Sequence, residues 1–96
     1  MNIEKTLSGT KLTVALEGRL DVRTAPALEK ELQESYGKIT ELVLDFEKLE
    51  YVSSAGLRVV LGAQKEMDEK LIVKNVNDII MEVFEVTGFA YVLNIE

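Results

Sequence analysis

Leu42-Val43-Leu44-Asp45-Phe46 is a nearly continuous apolar run, set between two stretches whose apolar residues recur at helical spacing. A strand that barely alternates suits the middle of a parallel sheet, covered on both faces. Parallel neighbours need long crossover connections, and the flanking helical stretches supply them. This run therefore points to an α/β architecture.

The rest of the chain is read around it. Ile3, Lys5 and Leu7 alternate with Glu4 and Thr6, and Leu12, Val14 and Leu16 alternate with Thr13, Ala15 and Glu17. With Ser8-Gly9-Thr10 between them, these read as an antiparallel hairpin whose second strand ends at Gly18. Thr24 or Ala25 opens a first helix. Pro26 sits in its first turn, where a missing N–H costs nothing. Ala25, Leu28, Leu32 and Tyr36 keep helical spacing, and Gly37 closes the helix. Val52 and its neighbours form a short extended segment. A second helix runs from about Ser54 to Met67, with Leu57, Val60, Leu61 and Gln64 on one side. Leu71-Ile72-Val73 is a short buried strand. Asn77 caps a third helix carrying Ile80, Val83 and Phe84, which Gly88 ends; Tyr91 to Ile95 is the last strand.

The expected fold is α/β: a mixed, mostly parallel sheet of about five strands, opened by an antiparallel hairpin, with about three helices packed against it. The 96 residues, 47% of them hydrophobic, suit one domain over 1–96 with one core.

Charge and composition exclude several functions. A formal net charge of −6 argues against nucleic-acid binding, which calls for a basic stripe. The chain has no cysteine and no histidine. That removes thiolate chemistry, a histidine-based triad and the usual metal sites, so no cofactor, metal or enzymatic activity is expected. No apolar stretch is long enough to span a membrane and no secretion signal is visible, which makes the cytoplasm the expected location.

The chemistry-bearing feature is Ser53-Ser54-Ala55-Gly56, where a strand-like stretch gives way to a helix. Two readings stand. One serine caps the helix, with Gly56 letting the helix start close to a strand. Alternatively, one hydroxyl accepts a phosphoryl group, since a helix start favours negative charge. No acid–base pair lies nearby in sequence to activate the hydroxyl as a nucleophile. Asp21, in the loop after Gly18-Arg19-Leu20, is either a pre-helix carboxylate or an exposed contact at the same end of the sheet as Ser54. Asp45 reads as structural, Asp68-Glu69-Lys70 as a solvated helix end, and Glu82 and Glu85 as the outer face of the third helix. No glycine-rich phosphate loop occurs.

Taken in order, these segments resemble the STAS domain family, above all its single-domain bacterial anti-sigma factor antagonists. Gly18-Arg19-Leu20-Asp21 with Ala25 and Leu28 looks like the family's Gly-x-Leu-Asp loop and first helix. Leu42-Val43-Leu44-Asp45-Phe46 looks like its central strand. Tyr51-Val52-Ser53-Ser54-Ala55-Gly56-Leu57 looks like its phosphorylation loop, and Phe84-Glu85-Val86-Thr87-Gly88-Phe89 like its late helix-glycine signature.

The resemblance implies a partner switch. Ser54 would be phosphorylated by a serine kinase that is also an anti-sigma factor, and a PP2C-type phosphatase would reverse it. The unphosphorylated protein would bind the kinase and free the sigma factor. Asp21, Thr24, Ser53, Ser54, Gly56, Leu57 and Arg58 would meet the partner. Ser53 stands where well-known members carry aspartate. Many relatives continue beyond the position of Glu96 into one more helix, without which the core is expected to be complete. The alternative employment is an adaptor subunit of another signalling or lipid-transport complex.

Overall fold

A left-handed Gly9, with φ of +64°, turns the chain between β1 (Asn2–Ser8) and β2 (Lys11–Leu20), which pair antiparallel from Asn2 opposite Glu17 to Ser8 opposite Lys11. α1 (Ala25–Ser35) then crosses to β3 (Glu41–Val52), and α2 (Ser54–Met67) crosses to β4 (Leu71–Lys74). α3 (Asp78–Thr87) follows. The sheet order is β1-β2-β3-β4, with β2, β3 and β4 mutually parallel. This is a computed structural model, and it describes Met1–Glu96.

Because the sheet grows in one direction from β2 to β4, right-handed crossovers place α1 and α2 on the same face. α3 joins them. A single buried cluster contains Leu12, Val14 and Leu16 of β2, Leu42, Leu44 and Phe46 of β3, Leu28 and Leu32 of α1, Val60 and Ala63 of α2, and Ile80 and Phe84 of α3. The central strand is thus covered by helices on one face only, where its apolar run suggests two. Val43 points to the open face, yet is only 5% exposed. Its register neighbours Thr13 and Ile72 flank it there, and this lateral packing in place of a helix layer accounts for its apolar character.

β3 is one strand from Glu41 to Val52, and the extended segment at Val52 is its end. Against β2 it carries two extra residues. Ala15 pairs with Asp45 but Glu17 with Lys48, and Gly18 pairs with Leu49 but Arg19 with Tyr51. Each bulge rotates the following side chains to the other face. The buried residues of the helix-covered face accordingly fall at Leu42, Leu44, Phe46, Leu49 and Val52. β2 likewise continues past Gly18, with φ of +106°, to Leu20.

Four strands replace the expected five. Gly88, with φ of +82°, ends α3, and residues Phe89–Tyr91 coil into a 3-10 turn. The Leu93 N–H donates to the Phe89 carbonyl at 2.8 Å, which turns Leu93 into the core. Only the last residues reach β4, through Val73 N–H to Asn94 C=O and Glu96 N–H to Val73 C=O, both at 2.9 Å. The expected strand over Tyr91 to Ile95 is therefore a single bridge between Ile95 and Val73.

Candidate functional site

Loops that follow parallel neighbouring strands emerge at the same edge of a sheet. Here these are the β2–α1 loop and the β3–α2 junction. Leu20 pairs with Val52, and the Ser53 N–H donates to the Leu20 carbonyl at 2.8 Å, so the two segments lie side by side.

The two serines divide the work at the start of α2. Ser53 is extended (φ −92°, ψ 177°), and its hydroxyl accepts from the Gly56 N–H at 3.3 Å. Its carbonyl accepts from the Leu57 N–H at 2.8 Å. Ser53 is thus the N-cap, which satisfies one of the free amides of the first turn. Ser54 is the first helical residue. It is exposed, and its hydroxyl has no partner within the chain. The cap and the available hydroxyl are therefore adjacent but different residues.

Gly56 sets how closely α2 approaches β2. A Cβ at this position would lie 2.7 Å from Leu20 Cγ and 2.9 Å from the Leu20 carbonyl oxygen. Leu57, the next residue, packs into the core. Gly56 and Leu57, both expected as partner contacts, are buried. They position the edge and do not present exposed side chains, because the first turn of α2 faces inward at these two positions.

Asp21 organises the neighbouring loop. Its Oδ1 accepts from the Arg23 N–H at 3.0 Å and the Thr24 N–H at 3.2 Å. These donors, the Arg23 amide foremost, hold its carboxyl below the usual carboxylate range. The Thr24 hydroxyl accepts from the Asp21 N–H at 2.9 Å and donates to the Arg19 carbonyl at 2.8 Å. Thr24 precedes α1 without capping it through its side chain. Its hydroxyl is spent on the loop. Arg19 lies over the Tyr51 ring, 4.3 Å from its centroid, with Nε 4.0 Å from Asp21 Oδ2.

A shallow groove of about 230 Å³ runs between the starts of α1 and α2. Its apolar floor comes from Ala25, Pro26, Ala55 and Val59, and Val22, Glu29 and Arg58 border it. Val22 is 73% exposed, and Arg58 is exposed. Of the residues expected at the site, Asp21, Thr24, Ser53, Ser54 and Arg58 reach the surface of this edge at least in part. Sequence reasoning missed Val22, and the Arg19–Tyr51 stack. An apolar residue alone among polar loop neighbours was the available signal for the first. The second depends on the bulge that brings Tyr51 opposite Arg19.

Asp45 is elsewhere, on the open face. It accepts from the Asn75 side chain at 2.9 Å and the Glu47 N–H at 3.1 Å, a structural part. No group of acidic residues is arranged to hold a metal ion, and no helix is long and apolar enough to cross a membrane.

A family model described as "Mlab, STAS domain" matches residues 3–94. BtrV of Bordetella bronchiseptica is 38% identical over 82 residues, covering 81% of this chain and 71% of that protein. The anti-sigma-B factor antagonist of Staphylococcus aureus is 31% identical over 99 residues, covering 99% of this chain and 92% of that protein. Solved structures of SpoIIAA, in its unphosphorylated form and, from Bacillus, in the phosphorylated form, match with TM-scores of 0.80 and 0.79 at 19% and 20% identity. They cover 99% of this chain and 87% and 91% of theirs, a likeness of fold.

Proposed function

This chain belongs to the STAS domain family, and on that premise we propose that it is an anti-sigma factor antagonist switched by phosphorylation of Ser54. The observation that carries the reading is the division between the serines: Ser53 is occupied as a cap, and Ser54 is exposed and unpartnered at the head of α2. The Staphylococcus aureus relative's name supports the antagonist role.

In this reading the unphosphorylated edge, with Asp21, Ser54, Arg58 and the α1–α2 groove, docks on an anti-sigma factor that is also a serine kinase, in the cytoplasm. Thr24 and Ser53 border the same contact, and the buried Gly56 and Leu57 support it from beneath. The kinase transfers the γ-phosphoryl group of ATP to Ser54 Oγ, with loss of the hydroxyl proton, and a PP2C-type phosphatase removes it. The phosphate adds roughly 1.5–2 negative charges to a surface that must desolvate on docking, so it blocks binding without refolding the domain. The chain itself acts by binding and not by catalysis.

Incubation with the cognate kinase and ATP, followed by peptide mass spectrometry, should place the phosphate on Ser54. Full labelling of the Ser54→Ala protein at Ser53 would overturn the assignment. In calorimetry, Asp21→Ala should weaken kinase binding and Glu82→Ala, on the exposed face of α3, should not. The family match by itself also fits a second reading, as an adaptor subunit of another signalling or lipid-transport complex. Such a complex would form equally well with Ser54 phosphorylated.

A further inference from the structure

All three arginines of this acidic chain, Arg19, Arg23 and Arg58, are carried by the edge that presents Ser54. Arg19 is engaged with Tyr51 and Asp21. Arg23 belongs to the loop that Asp21 organises. Arg58 has no partner: the chain's ion pairs are Lys5 with Glu31 and Arg19 with Asp21. Glu29 is the one carboxylate that borders the groove with Arg58, and the two do not pair.

Arg58 follows Ser54 by four residues on α2, one helical turn, and both are exposed. Residues at this spacing face each other. Helical side chains slant toward the N-terminus, so the Arg58 side chain is directed back over the turn that Ser54 begins. An acidic group one turn before a basic one is also the favourable order along a helix. A guanidinium matches phosphate oxygens with two parallel N–H donors.

We propose that Arg58 is the internal receptor of the Ser54 phosphate. This rests on the reading of Ser54 as the phosphoacceptor, and it adds how the switch acts. The modification withdraws two exposed groups from the docking edge together. In the unmodified protein the Arg58 guanidinium is free to meet a partner carboxylate. Once Ser54 is phosphorylated, the phosphate satisfies that guanidinium within the chain. Arg58 is a positioning residue for the phosphate, placed by the register of α2.

The test installs phosphoserine at position 54 of the full chain by codon suppression, so that no kinase is needed. The second ionisation of the phosphate is then followed by phosphorus NMR across pH 4–8, a range chosen around its usual value of about 6. Pairing with Arg58 stabilises the dianion. Arg58→Gln should therefore raise this pKa by about 0.15–0.35 of a pH unit, Arg58→Lys should raise it less, and Lys65→Gln, near the far end of α2, should leave it unchanged. Equal values in the wild-type and Arg58→Gln proteins would overturn the proposal, as would equal shifts from Arg58→Gln and Lys65→Gln. Melting curves of the unphosphorylated variants verify the fold. A kinase that never modifies Ser54 would instead overturn the phosphoacceptor reading, which this titration does not address.

Discussion

Replacing Gly56 by alanine should push α2 away from the end of β2. The added methyl would sit 2.7 Å from Leu20 Cγ, 2.9 Å from the Leu20 carbonyl oxygen and 3.1 Å from Leu20 Cδ2. The side-chain atoms can move only into a packed core, since Leu20 is fully buried. The carbonyl cannot move freely either, because it accepts the 2.8 Å bond from the Ser53 N–H. Overpacking of this kind costs about 1–3 kcal/mol, against a gain of about 0.5–1 kcal/mol from replacing glycine in a helix. The net loss is about 1–2 kcal/mol, or roughly 5–15 °C in melting temperature for a domain of this size. Gly62, on the same helix, provides the control. A Cβ there meets nothing within 4 Å, so Gly62→Ala should stabilise by about 0.5–1 kcal/mol. Urea unfolding followed by circular dichroism measures both. A Gly56→Ala protein as stable as the Gly62→Ala protein would refute the argument that close approach to Leu20 demands glycine.

Ser53→Ala should lose about 1 kcal/mol of stability with its cap, whereas Ser54→Ala should stay within about 0.5 kcal/mol of wild type in urea unfolding. Tyr36 lies half-buried near Glu66 and Glu29, and burial foremost pushes its phenol from 10.0 up to about 12. The neutral phenol is the form the fold favours, so this contribution is complete below pH 10 and disappears as pH rises toward 12. After allowance for solvent screening it amounts to roughly 1 kcal/mol. Wild type should lose that much more stability than Tyr36→Phe between pH 9 and about pH 12, and parallel curves would refute the assignment.

Local chemistry is what the sequence determined by itself. The Asn77 side chain accepts from the Ile80 N–H at 2.8 Å and starts α3, and Gly88 ends it in a left-handed turn. The Ser8-Gly9-Thr10 turn makes the hairpin, and alternation in β2 names its buried face. Such features depend on residues within about four positions of each other, so residue type is enough to read them. The candidate edge was legible for a related reason, because parallel strands deliver their following loops to one side.

Only the tertiary structure decided which serine caps and which is free. That depends on where β3 stops, and two bulges against β2 set that point, bringing Val52 opposite Leu20. The open face of the sheet was equally hidden, since Val43 is shielded by Thr13 and Ile72 from neighbouring strands. Tyr91 to Ile95 has the composition of a strand, but the turn at Phe89–Leu93 leaves only one residue to bridge to Val73. In each case the outcome comes from pairing between residues about twenty to thirty apart in the chain. A pattern read along one segment specifies which side chains share a face, and the partner strand's register decides which way that face points.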